Sequence, residues 1–275
     1  MIRFLKCILP IVAILLLAGC VPVAGVAPSR DAPDEVVVFA AASLTEVFTA
    51  LGNAFAQNHS PGRAVFNFAG SQQLASQLEQ GAQADVFASA DERQMDGVVD
   101  AARIDRADVR VFACNRLVVV TNNSRMDSLS KLAEPGFKIV VGAEAVPVGA
   151  YTLAFLAAAA ADPVYGEAFR DGVLANVVSY EQNVRVVLSK VRLGEADAGI
   201  VYATDTRTAP EVAVLEIPAH LNQRAIYQIA AVRDGPSPEL AGQFVDFLTS
   251  PTGGRLLTEA GFSTDCAGAG GQPTP

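Results

Sequence analysis

The stretch VVVFAAASLTEVF, Val36–Phe48, decides how the rest of the chain is read. Its first four residues are apolar and mostly β-branched, which predicts a buried strand. Ala40, Ala41 and Ala42 then remove nearly all side-chain bulk. Ser43 follows, and the next residues turn helical in pattern. A strand that passes through such a bare patch into a helix leaves the helix's first N–H groups, and the positive end of its dipole, facing open space. Small residues there let a ligand come close to the backbone. Ser43 adds a hydroxyl to the same place.

Working outward, short β-rich runs alternate with helical stretches. Strands are predicted over 36–41, 64–68, 85–89, 109–113, 116–121, 138–142, 176–179, 198–202 and 225–232. Helices are predicted over 44–57, 72–80, 91–97, 128–132, 149–160, 165–171, 184–194, 238–249 and 251–260. That alternation predicts βαβ units, hence an α/β fold with mostly parallel sheets flanked by helices. Three more junctions resemble the first: FAGSQ with Ser71, VPVGA with Val148, and EQNV with Asn183 and Val184. At any one junction, a serine or asparagine is ordinarily explained as a cap that satisfies orphan N–H groups. Several such ends at the carboxyl edges of parallel strands have a second use, which is to converge on one anion.

The bulk numbers bound this reading. The chain has 275 residues, 51% of them hydrophobic and 18% charged, enough for one large domain or two medium ones. A net charge of −9 and an isoelectric point near 4.7, with no basic cluster, argue against nucleic acid as a partner. The same acidity repels an anion at long range, so local donors must hold it. His59 and His220 lie far apart among turn residues, read as surface positions, and suggest no metal site. No Ser-His-Asp set and no phosphate loop stands at a junction, which argues against an enzyme. A carboxylate-only hydrolase is the remaining enzymatic reading, and the junctions lack acidic pairs. Asp85 and Asp91 read as a strand start and a helix cap.

The ends of the chain carry other signals. Arg3 and Lys6 precede an apolar core over residues 7–17, too short to span a bilayer, and Leu17-Ala-Gly-Cys20 resembles the lipobox of bacterial lipoproteins. That resemblance implies a lipoprotein signal over 1–20, removed to leave Cys20 lipid-modified, with residues 21–33 as a tether and an extracytoplasmic, lipid-anchored protein. Cys114 and Cys266 form an even pair in an oxidising compartment, and the sequence leaves their pairing open. The tail AGAGGQPTP, 267–275, is expected to be unstructured.

The junctions offer hydroxyls and backbone N–H groups but almost no cations. Arg185, one residue into a helix, is the exception. Donor-only chemistry favours a fully deprotonated oxyanion, which offers only acceptors. A protonated phosphate would leave its own donor unpaired. With FAAASLTEVF, FAGSQQLASQLEQGAQADVFASAD, RLVVVTN, VPVGAYT, NVRVVLSKVRLGEADAGIVYATD and a closing GF in order, the chain resembles the periplasmic molybdate-binding proteins of bacterial ABC importers from about Val36 to Phe262.

The resemblance implies a two-lobed Venus-flytrap binding protein, with lobe 1 over 34–113 plus 228–266 and lobe 2 over 114–227. Molybdate or tungstate would lie between the lobes, with no other cofactor. Ser43 and Ser71 would contribute hydroxyl and backbone N–H, Val148 and Val184 backbone N–H, and Tyr202 its phenol. Where the family usually has a small residue in VPxG, this chain has Val148, and a backbone contact tolerates that. Glu181 and Arg185 are weaker candidates for supporting the site from behind. The implied partners are a membrane permease and its ATPase, and the protein is expected to be a monomer. Sulfate or another tetrahedral oxyanion is the alternative ligand.

Overall fold

The computed structural model describes residues Glu35–Cys266. The signal, the tether, Cys20 and the 267–275 tail lie outside those residues. Among the described residues no helix is long and apolar enough to cross a membrane.

β1 (Glu35–Ala41) pairs in parallel with β2 (Arg63–Ala69) and β3 (Val86–Ser89). Between them run α1 (Thr45–Asn58) and α2 (Ser71–Glu79), and α3 (Glu92–Asp100) follows β3. The expected separate strands 109–113 and 116–121 are one strand, β4 (Arg110–Thr121). The expected gap falls at Cys114 and Asn115, but the Asn115 amide is buried and bonded to Thr204 Oγ1 at 2.8 Å, so the strand continues through them. The irregularity lies earlier, between Val111 and Ala113.

β5 (Ile139–Gly142), α4 (Pro147–Ala161), α5 (Gly166–Ala175), β6 (Val177–Glu181), α6 (Val184–Arg192) and β7 (Ala198–Tyr202) form the other side of the sheet, parallel among β5, β6 and β7. β8 (Ala213–Glu216) is a short strand that the sequence reading missed. It pairs with β4. β9 (Arg224–Ala231) precedes α7 (Pro238–Thr249) and α8 (Pro251–Glu259).

The strand order is β2-β1-β3-β9-β4-β7-β5-β6. The two ends are parallel, as βαβ units require, and the middle is antiparallel where β9 and β4 run through. β4 serves both halves: Arg110–Arg116 pair with β9, and Leu117–Thr121 pair with β7. The expected lobe crossings, 113/114 and 227/228, fall inside these two strands, where Ala113 and Tyr227 are cross-strand partners.

One large apolar core holds Phe48, Phe55 and Phe244 in edge contacts on the first side and Phe155, Val187 and Ile200 on the second. A smaller one gathers Leu74, Phe87 and Met95 under α2 and α3. Asp85 stands just before β3, fully buried, and accepts from the N–H groups of Val37 and Ser237 at 2.7 and 2.6 Å. Asp91 is the N-cap of α3, as expected. His220 is exposed, whereas His59 is half-buried and stacks on Phe55. Cys114 and Cys266 are joined in a disulfide that ties the C-terminal segment to β4 across 152 residues.

Candidate functional site

The cleft between the two sheet halves is built from loop ends. β1 leads into a short 3-10 turn, Ala42–Leu44, before α1. β2 leads through Gly70 into α2, with Gly70 as N-cap. A Cβ at Gly70 would stand 2.5 Å from Gln182 O, so only glycine allows the two halves to approach this closely. On the other side, Pro147 is the first residue of α4 and has no N–H, so the first donor of that helix is Val148. Gly149 lets the helix start lie against the preceding loop, since a Cβ there would meet Ala143 O at 2.0 Å. Asn183 caps α6 by accepting from Val186 N–H at 3.1 Å.

A cavity of about 20 Å³ lies where these ends meet. Ala41, Ala42, Ser43, Gly70, Ser71 and Ala90 line it from the first half, and Val146, Pro147, Val148, Asn183, Val184 and Tyr202 from the second. All five residues singled out in the sequence border this one space. Each is at most 5% exposed. Pockets for organic ligands run to roughly 300–1,000 Å³, so this one suits a small ion. A larger cavity of about 320 Å³ lies beside α4, mostly apolar, and none of the five residues borders it.

The two serines do not cap their helices. Ser71 Oγ accepts from Ala90 N–H at 3.1 Å, which leaves its own proton to donate. Ser43 Oγ lies 3.0 Å from Tyr227 Oη. Burial pushes the Tyr227 phenol well above its usual range, the Asp205 charge adds to this, and hydrogen bonds with Ser43 and Asn115 oppose it. The phenol therefore keeps its proton, and when it donates to Ser43 Oγ the serine's proton is left for the cavity. Tyr227 sits in β9, 184 residues from Ser43, and nothing local in the sequence announces it.

Tyr202 is 1% exposed, and its phenol oxygen has no hydrogen-bond partner among the described residues. Burial raises its pKa well above the usual value, with Tyr227 and Tyr151 next in effect, so it is a neutral donor. A buried hydroxyl left unpaired costs about 1–3 kcal/mol, and because Tyr202 lines the cavity, an acceptor held there would satisfy it.

Arg185 reaches across the cleft from α6. Its Nε donates to Ala42 O at 3.1 Å, Nη1 to Thr208 Oγ1 at 3.2 Å, and Nη2 to Glu46 on α1. Asp205 accepts from Tyr202 N–H at 3.1 Å and has its other oxygen 3.4 Å from Arg185 Nε, too poorly aligned for a hydrogen bond. Burial lifts the Asp205 carboxyl to about 7 against the pull of Arg185. Arg185 does not line the cavity. Glu181 bonds Lys190 and Ser179 and does not line it either. Side chains of the first half also hold the loops of the second: Gln72 donates to Gln182 O at 2.8 Å, and Arg93 to Glu144 O at 3.0 Å.

Comparison with known proteins gives a consistent picture. The pattern of the bacterial extracellular solute-binding protein family matches residues 36–263. The molybdate-binding protein ModA of Mycobacterium tuberculosis H37Rv is 37% identical over 263 residues, covering 92% of this chain and 96% of the relative. The periplasmic molybdate-binding protein of Azotobacter vinelandii superposes with a TM-score of 0.72 at 20% identity, over 83% of this chain and 98% of that one. The sulfate-binding protein SubI of M. tuberculosis reaches 0.74 at 17% identity, over 85% and 88%. At such identities the two structures speak for the fold, which is that of periplasmic binding proteins.

Proposed function

Because the chain belongs to the bacterial extracellular solute-binding protein family, we propose that it captures molybdate, or tungstate, outside the cytoplasm and hands it to an ABC importer. The observation that carries this reading is the unpartnered Tyr202 phenol, buried at a small cavity that two serine hydroxyls also line. Ser43 and Ser71 act from one lobe, and Val148, Val184 and Tyr202 from the other. Residues 34–113 plus 228–266 form the first lobe and 114–227 the second. The ion touches both, so it binds the closed form better and shifts the protein toward it.

The lining offers donors and no carboxylate, which suits an oxyanion without a proton of its own. As a member of the solute-binding family, the protein acts as a binder. No cofactor beyond the ion is required. Lipid on Cys20 would keep the protein at the membrane as a monomer, near the permease and its ATPase.

A thermal-shift panel tests the proposal. Molybdate and tungstate should raise the melting temperature, and phosphate should not. A larger shift with sulfate would transfer the assignment to sulfate. An equal shift with phosphate would defeat the argument from donors alone.

A further inference from the structure

Arg185 is not in the cavity lining but bonds a residue that is, Ala42. Its side chain is 23% exposed, and its guanidinium bonds the Ala42 carbonyl oxygen. The carbonyl of Ala42 and the N–H of Ser43 belong to one peptide unit. In a trans peptide these two groups point in opposite directions. A charged donor on the oxygen polarises the whole unit, so the N–H at its other end becomes a stronger donor.

We infer that Arg185 is a positioning residue for the bound anion, acting through the Ala42–Ser43 peptide and not by contact. This deepens the proposed function and rests on it. A cation placed in the cavity would hold almost any anion. A cation one peptide away strengthens a donor whose direction is fixed, and so rewards an ion with an acceptor at that point. The same side chain joins the start of α6 to the start of α1 through Glu46, which brings the Val184 and Ser43 ends together. Asp205 and Thr208 hold it from the 3-10 segment Ala203–Thr208.

Glu46 separates this role from that of a simple latch. Its side chain is 55% exposed and its carboxylate partly offsets the guanidinium. If Arg185 only clamps the halves, removing Glu46 weakens binding. If Arg185 acts by its charge, removing Glu46 leaves more of that charge for the peptide and strengthens binding.

The experiment measures molybdate affinity and dissociation rate for the parent, Arg185→Gln, Arg185→Lys and Glu46→Gln, with the melting temperature of each without ligand. Arg185→Gln should lose about 10- to 100-fold in affinity, mostly through faster dissociation. Arg185→Lys keeps the charge but not the fork of donors and should recover part of the loss. Glu46→Gln should bind about 2- to 5-fold more tightly. Parent-like affinity in Arg185→Gln, or weakened binding in Glu46→Gln, would overturn the inference. Should Arg185→Gln fail to fold, the sign of the Glu46→Gln change decides alone. If the parent binds no oxyanion of the panel, it is the proposed function that fails, and this inference falls with it.

Discussion

The two walls of the cleft offer donors by different means. The first wall adds side chains to its backbone: β1 and β2 both end in alanine, and the hydroxyls of Ser43 and Ser71 stand above them beside those residues' own N–H groups. The second wall uses backbone: α4 and α6 begin at the cavity, and Val148 and Val184 turn apolar side chains into the core. Tyr202 adds a side-chain hydroxyl to the second wall, with no partner among the described residues. A backbone donor is indifferent to residue type, so the two walls should respond differently to substitution, although the proposed ion would meet both.

The largest effect is expected from Ser43→Ala with Ser71→Ala. In the proposed site each hydroxyl would donate a hydrogen bond to a charged acceptor, worth about 1.5–3 kcal/mol, so each single variant should lose about 10- to 100-fold in molybdate affinity and the pair more. Calorimetric titration measures this. Tight binding by the double variant would remove the first wall from the site. Tyr202→Phe comes next. It deletes one donor but also relieves the unpaired phenol in the free protein. Affinity should fall by about 10-fold or more while the melting temperature without ligand stays level or rises. A fall in that melting temperature would mean that the phenol has a partner in the free protein.

The second wall's helix ends should be nearly silent to truncation. Val148→Ala and Val184→Ala should change affinity by less than about 3-fold, since neither side chain makes the contact, while each costs about 1–2 kcal/mol of stability from lost core packing. Chemical denaturation and titration of the same samples separate the two quantities. A large affinity loss with unchanged stability would show that the valine side chains face the ion.

What the sequence made legible follows the same divide. The serines and helix starts were readable because strand ends, small residues and caps are local signals, and the ordered motifs tied the distant ones together. Tyr227, Asn115 and Asp205 were not readable. Tyr227 reaches Ser43 across 184 residues and Asn115 reaches Thr204 across 89, and no periodicity or spacing encodes such a pairing. Asp205 bonds the Tyr202 N–H only three residues away, and what the sequence hides there is its complete burial. β4 was split in two at 114–115 because Asn115 interrupts its apolar run, and the buried bond from Asn115 to Thr204 shows why the strand tolerates it. β8 was missed because AVLE is too short to stand out from the segment around it.

The smallest effect concerns charge, and it too sets the walls apart. The first wall's donors do not titrate in the ordinary range, whereas the second rests on Asp205, wholly buried beneath Tyr202. Burial lifts its carboxyl from 3.8 in the unfolded reference to about 7 in the fold. Below the unfolded value both states hold the proton, and the fold keeps its full stability from this group. As pH rises through the window up to about 7, the unfolded chain releases the proton while the folded one retains it, so stability declines and then levels off. Melting temperatures of the ligand-free protein across that range should show the decline, and Asp205→Asn should flatten it. The serine variants should keep it unchanged. A flat profile in the parent would mean that Arg185, 3.4 Å away, holds Asp205 ionised throughout, and the second wall would then be as insensitive to pH as the first.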